Sequence, residues 1–135
     1  MITVSTTINA TIDTVWKRWT TPDDITKWNN ASDDWHTTKA ENDLRVGGKF
    51  LSRMEAKDGS MGFDFIGVYD EIITNELISY KLEDERKVKV IFKSNGKETQ
   101  IIETFEAETI NSIELQKSGW QNILDNFKKY VEKSN

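Results

Sequence analysis

The chain contains no cysteine. That excludes a disulfide scaffold and a thiolate metal site, and it fits a reducing, cytoplasmic setting. There is a single histidine, His36, so no recognisable transition-metal ligand set is present and no cofactor is expected. One proline and seven glycines leave little material for linkers. No apolar run approaches the roughly 20 residues of a membrane span. The first residues, MITVSTTINA, have neither a basic start nor an apolar stretch, so no secretory signal is expected. The formal net charge is −5 and the basic residues do not gather into a patch, which disfavours nucleic acid and anionic membranes as partners. No repeat or low-complexity segment interrupts the 135 residues. A single domain over residues 1–135, large enough to bury a core, is the expectation.

What the chain does have is a long amphipathic segment near its C-terminus, from Asn111 to Lys133. Ile113, Trp120, Ile123, Leu124, Phe127, Tyr130 and Val131 fall on one stripe at 3.6 residues per turn, with polar residues opposite. Asn111 is the expected N-cap, with Glu114 placed to complete a capping box. A helix of this length, on the order of 33 Å, needs a broad apolar surface to lie on.

The preceding residues supply one. Residues 2–9 alternate as a half-buried strand. Thr11 opens a short helix with Val15, Trp16 and Trp19 on its apolar side. Thr21-Pro22-Asp23-Asp24 opens another, with proline at the first helical position. Asn30–His36 reads as a loop carrying Trp35. From Thr37 the pattern has period two, and the candidate strands are 37–42, 48–57, 61–73, 77–83, 86–94 and 97–106. The order β-α-α-β-β-β-β-β-β-α makes this an α+β chain, one curved antiparallel sheet of about seven strands covered by the last helix.

Two hairpin turns allow registers to be assigned. With Asn95-Gly96 as a two-residue loop, Lys93 faces Glu98 and Val90 faces Ile101. Val88, Val90, Phe92, Thr99, Ile101, Glu103 and Phe105 then share the core face, and Glu103 points inward. With Asp58-Gly59 as the other loop, Met54 faces Phe63, Ser52 faces Phe65, Phe50 faces Gly67, and Arg53 pairs with Asp64 outside. Phe50, Ser52, Met54, Met61, Phe63, Phe65 and Tyr69 are then the inner set, joined by Ile78, Tyr80 and Leu82. A strongly curved sheet around one helix leaves space beneath it, walled here by aromatics.

Several motifs occur in a familiar order. They are Val15-Trp16, Trp28, Arg45-Val46-Gly47-Gly48-Lys49-Phe50, Met54, Asp58-Gly59, Gly67-Val68-Tyr69-Asp70-Glu71-Ile72, Phe105-Glu106 and Gln116-Lys117-Ser118-Gly119-Trp120-Gln121-Asn122-Ile123-Leu124. Over essentially its whole length the chain resembles the bacterial proteins similar to the activator of the 90-kDa heat-shock-protein ATPase. These belong to the START-like, helix-grip (SRPBCC) superfamily. The resemblance implies a helix-grip fold with an internal cavity for an apolar ligand. Some relatives in the superfamily carry lipids or hormones and a few are enzymes, so the fold alone does not assign the activity.

Within that frame Glu103 carries the sharpest chemistry. A carboxylate on an apolar face costs several kcal/mol unless partnered or neutral. It is either a ligand anchor or acid–base group, or a structural carboxyl at a sheet edge, a bulge or a lysine. Ser52, Tyr69, Tyr80 and Thr99 are further inner polar groups. Trp28 and Trp35 flank the loop expected at the cavity mouth. Trp120 lies beside Gly119, whose missing side chain would allow a close helix approach. Gly47-Gly48 enters a strand rather than a helix and reads as a bend, not a phosphate cradle.

The leading expectation is non-catalytic binding of a small hydrophobic molecule. Trp28, Trp35, Phe50, Met54, Phe63, Phe65, Tyr80, Val90, Phe92, Glu103, Trp120, Leu124 and Phe127 are the residues expected to contact it. The alternatives are an enzyme using Glu103 with Tyr80 or Ser52, and a protein-binding module acting on a chaperone.

Overall fold

The computed structural model describes residues 1–134. Its elements are β1 (Ile2–Ile8), α1 (Ile12–Thr20), α2 (Pro22–Trp28), β2 (Trp35–Asn42), β3 (Lys49–Ala56), β4 (Gly62–Ile73), β5 (Leu77–Leu82), β6 (Lys87–Asn95), β7 (Glu98–Phe105) and α3 (Ile113–Ser134). The strands form one antiparallel sheet in the order β1-β7-β6-β5-β4-β3-β2. Each hairpin connection places its strands side by side, and the first strand returns to pair with the last. The sheet curls around α3, as the helix-grip expectation requires.

The core lies between the concave face and the helices. From the sheet come Ile2, Val4, Ile8, Ile78, Val88, Val90, Phe92, Ile101 and Phe105, and from α3 come Leu124, Phe127 and Val131, all buried. Aromatic rings join the layers. Trp19 lies against Trp28 with centroids 4.9 Å apart, and Phe127 meets both edge-on at 4.9 and 4.8 Å. Trp16 and Trp19 both meet Phe92. Aromatic pairs of this kind contribute about 0.5–1.5 kcal/mol each beyond the area they bury.

Helix α3 also protects an edge. Strand β1 pairs only with β7, leaving outward carbonyls. Gln121 Nε2 donates to the Ser5 carbonyl at 3.1 Å and Lys128 Nζ to that of Thr7 at 2.6 Å. The Asn9 backbone N–H donates to Glu132 Oε2 at 2.9 Å. The exposed ladder of an edge strand is thus covered by helix side chains. A second tie closes the far end of the helix. Asp24 of α2, buried, accepts from Arg18 of α1 at 3.0 Å and from the Tyr130 hydroxyl of α3.

Several local expectations are corrected. The N-cap of α3 is Ser112, whose Oγ accepts the Leu115 N–H at 3.1 Å. Asn111 instead donates its own N–H to Glu108, so Asn111 and Glu114 form no capping box. Thr21 precedes α2 but turns its hydroxyl back to the Lys17 carbonyl, closing α1. Trp35 begins β2 rather than lying in a loop. The β6–β7 turn is Gly96-Lys97, so Asn95 pairs with Glu98, Lys93 with Gln100 and Val90 with Glu103. Only Gly96 of these two turn residues has positive φ, at 65°, the requirement of a type II′ turn. The slip is two residues, an even number, so every inward residue stays inward. At the β3–β4 hairpin the expected register holds, including the Arg53–Asp64 pair at 3.3 Å. Met61 is exposed there rather than inward. A bulge at Asp70 in β4 changes the alternation, which brings Ile72 back toward the core.

The two halves of α3 should therefore differ in energetic weight. Phe127→Ala is expected to lower unfolding free energy by about 3–5 kcal/mol, as for other large buried aromatics. Leu115→Ala, on the exposed end, is expected to change it by less than about 0.5 kcal/mol. Urea unfolding of the two variants checks this.

Candidate functional site

Where the C-terminal half of α3 packs tightly, the N-terminal half does not. A cavity of about 550 Å³ lies beneath it. Leu115, Gln116, Gly119, Trp120 and Ile123 form its roof, and residues of β3, β4, β5 and β7 form its wall. Those five fall within one arc of the helix, with Gly119 midway along its length. A Cβ on Gly119 would meet nothing within 4 Å. The glycine widens the cavity and does not serve a close helix approach.

Phe50 shapes the wall because Gly67 lies opposite it on β4. A Cβ on Gly67 would come within 2.4 Å of the Phe50 ring, so glycine is required for the ring to lie flat there. Phe50 then touches Phe65, Tyr69 and Tyr80 with centroids 5.8, 5.5 and 4.8 Å away. Trp120 stacks on Phe105 at 3.9 Å and meets Phe65 edge-on at 6.2 Å. Trp35 and Phe63, 5.9 Å apart, stand nearer the outside, with Phe63 47 % exposed.

Of the residues expected to contact a ligand, Trp28, Trp35, Phe50, Met54, Phe63, Phe65, Tyr80, Glu103 and Trp120 line this cavity. Val90, Phe92, Leu124 and Phe127 do not. They are packed in the core beneath the first two helices and the far half of α3, and their placement on the cavity wall is corrected. The periodicity that put them inward is the same for core and cavity, so the sequence did not separate the two.

Other wall residues carried weaker signals. The apolar side of α1 places Trp19 in the core, and Gln116 stands only within a motif. Gln116 is buried and fully engaged: its amide nitrogen donates to the carbonyls of Glu108 and Asn111 at 3.1 and 2.8 Å, and its oxygen accepts the Glu108 N–H at 2.9 Å. It thereby fixes the segment joining β7 to α3. Asn29, Arg86 and Glu108 also reach the cavity. No simple sequence pattern marks them, because they sit in turns and connections.

The inward polar groups divide by partner. Thr99, fully buried, donates to the Ala10 carbonyl at 2.9 Å and is not on the cavity wall. Ser52 accepts from Asn29 at 3.2 Å. Tyr69 donates to Asn42, and burial raises its pKa. Tyr80 and Glu103 are different. Among the described residues neither side chain has a hydrogen-bond partner. No side-chain polar atom of a described residue is sealed without a partner, so the Tyr80 hydroxyl and Glu103 carboxyl open onto the cavity.

Glu103 is 6 % exposed. It is flanked across the ladder by Val4 of β1 and Val90 of β6. Burial in these apolar surroundings pushes its pKa up to about 8. Tyr80 is raised well above the phenol range by burial, then by the charge of Glu103; Arg86 opposes this. Arg86 is itself paired with Asp84 at 2.6 Å. Near neutral pH the site therefore presents a neutral carboxyl on β7 and a neutral phenol on β5, on the same wall. His36, on β2, lies away from the cavity wall. No group of three His, Asp or Glu suited to a metal occurs among the described residues, nor is any described helix long and apolar enough to cross a membrane.

A curled seven-strand sheet gripping one long helix, with a hollow beneath the first half of that helix, defines the helix-grip class. Residues 9–132 match the family described as Activator of Hsp90 ATPase homolog 1-like protein, and the chain belongs to that family. It is similar to the solution structure of an AHSA1-like protein from Aeromonas hydrophila, at 46 % identity and TM-score 0.90, over 98 % of this chain and 94 % of that one. A solution structure from Cytophaga hutchinsonii is 52 % identical with TM-score 0.85, over 98 % and 92 % of the two chains. A Chromobacterium violaceum crystal structure at 22 % identity and TM-score 0.82, over 97 % and 96 %, shares the fold. No curated protein matches.

The buried carboxyl makes a pH prediction. Glu103 holds its proton in the folded state up to about pH 8, whereas an unfolded glutamate loses it near 4.5. Between those values the folded state binds more protons, so stability must fall as pH rises. The loss is on the order of 5 kcal/mol across the window. Glu103→Gln is expected to remove this component. Comparing urea midpoints of the two proteins from pH 4 to 9 measures the difference.

Proposed function

We propose that this protein binds a small, mainly apolar molecule in the cavity under the first half of α3, without chemically transforming it. One observation carries the reading. The space of about 550 Å³ is walled by Trp28, Phe50, Phe65 and Trp120, while the rest of the helix interface is packed. Interiors normally close up to crystal-like density, so a hollow of ligand size with rigid aromatic walls is the form expected of a binding site. Binding would draw on apolar burial at roughly 25 cal/mol per Å², less the cost of ordering the ligand. The polar groups on the wall orient a guest. They include no nucleophile held beside a base, which is what an assigned reaction would need.

The test is occupancy and its block. Titrating isotopically labelled protein with naphthalene is expected to shift the resonances of Trp120, Phe65 and Gly119. In Gly119→Phe, whose ring would enter the hollow, the shifts of Trp120 and Phe65 should vanish. The variant should remain folded, because glycine in a helix interior costs about 1 kcal/mol relative to alanine and the site has room. Shifts that persist unchanged in Gly119→Phe would place the probe elsewhere and defeat the reading.

The family description carries a second reading, action on a 90-kDa heat-shock protein. Ile110, Ile113 and Leu115 are exposed near the start of α3 and would offer apolar contact. On the first reading, adding this protein leaves the ATPase rate of such a chaperone unchanged. A stimulated rate that is lost in Ile113→Asp would favour the second.

A further inference from the structure

We propose that the occupant is a neutral molecule with a broad apolar body and one hydroxyl or carbonyl at its buried end, held there by Glu103 and Tyr80. This rests on the cavity-binding reading above and adds the chemical class of the ligand.

Two polar groups on the wall, Tyr80 and Glu103, have no hydrogen-bond partner among the described residues. A buried polar side chain without a hydrogen bond is disfavoured by about 1–3 kcal/mol, and folded proteins leave few of them. Tyr80 and Glu103 escape that penalty only by opening onto the hollow, from neighbouring strand rows of one wall, so their hydrogen bonds fall to whatever fills it. Ile78 of β5, Val90 of β6 and Glu103 of β7 form one row, and Tyr80, Val88 and Phe105 form the next. Both polar groups open onto the hollow. Apolar packing explains neither, since a leucine and a phenylalanine would fill the same places. A guest with a matching polar end would satisfy both.

The charge of that guest follows from the groups around it. The ionisable side chains on the wall are Glu41, Tyr69, Tyr80, Arg86, Glu103 and Glu108. Three are acids, and the one cation, Arg86, is already bound to Asp84. An anionic guest would bring a further negative charge among them. A cationic guest would require Glu103 to ionise between Val4 and Val90, and a buried ion pair there repays its desolvation only with excellent geometry and further hydrogen bonds. A hydroxyl or carbonyl asks for neither. The carboxyl can donate to it and accept from it, and the phenol can do the same.

Four probes on one apolar body separate these cases: naphthalene, 2-naphthol, 2-acetylnaphthalene and 2-naphthylmethylammonium. Dissociation constants come from NMR titration at pH 6.5, with naphthalene as the reference for each protein. In the native protein 2-naphthol and 2-acetylnaphthalene are expected to bind roughly five- to tenfold more tightly than naphthalene, the range one or two buried hydrogen bonds supply. Glu103→Leu should erase that advantage and Glu103→Gln should keep most of it, because an amide also donates and accepts. Tyr80→Phe, which removes only a hydroxyl, should reduce it about two- to fivefold. Naphthalene binding with no advantage for the polar probes would overturn the proposal and leave the cavity reading intact. So would an advantage confined to the ammonium probe and lost in Glu103→Gln, which would assign a cationic ligand. Failure of every probe to perturb the cavity would remove the binding reading and this proposal together.

Discussion

The position of Phe127 determines most of the architecture. Its ring is held edge-on between Trp19 and Trp28, which belong to two different helices. Trp19 is in turn tied to the sheet through Phe92, and Trp28 to α1 through its indole N–H, which donates to the Arg18 carbonyl at 3.0 Å. Helices α1 and α2 are too short to be stable alone, and only packing of this kind keeps them in place. With its far half locked, α3 projects its near half across the open part of the curved sheet. The hollow is thus a consequence of where the lock sits along the helix.

The hollow also has an energetic cost that sheet packing alone would not accept. Gly119 weakens the helix, Glu103 and Tyr80 lack partners, and the aromatic wall forgoes contacts a filled core would make. All three fall in the same region. The opposite half of the interface shows none of them. Departures from good packing that cluster at one place are the pattern expected where a fold accommodates something other than itself.

Much of this was legible in the residues. Alternation identified every strand within a residue or two, and the inward set of β6 and β7 was correct although the turn had been misplaced. That error was harmless because side chains alternate with period two, so a slip of two changes partners and not faces. Glu103 was found for the same reason: a single charge stood out against a row of Val, Ile and Phe. What the sequence did not separate was core from cavity. Val90, Phe92, Leu124 and Phe127 look the same as Phe50, Phe65 and Trp120 to any test of periodicity. The difference lies in which half of α3 covers each of them, and that depends on contacts among helices far apart in sequence. Asn29 and Arg86 escaped because connections have no period to read, and Gln116, although on α3, because a polar side chain does not belong to the apolar stripe.

The arrangement of the tryptophans has a practical consequence. Trp19, Trp28, Trp35 and Trp120 border the hollow, and of the five tryptophans Trp16 alone does not. Four of the five indoles of this protein therefore border one chamber, and a guest there would lie against them. The molecule carries its own optical reporter of whether that chamber is filled, and needs no attached dye.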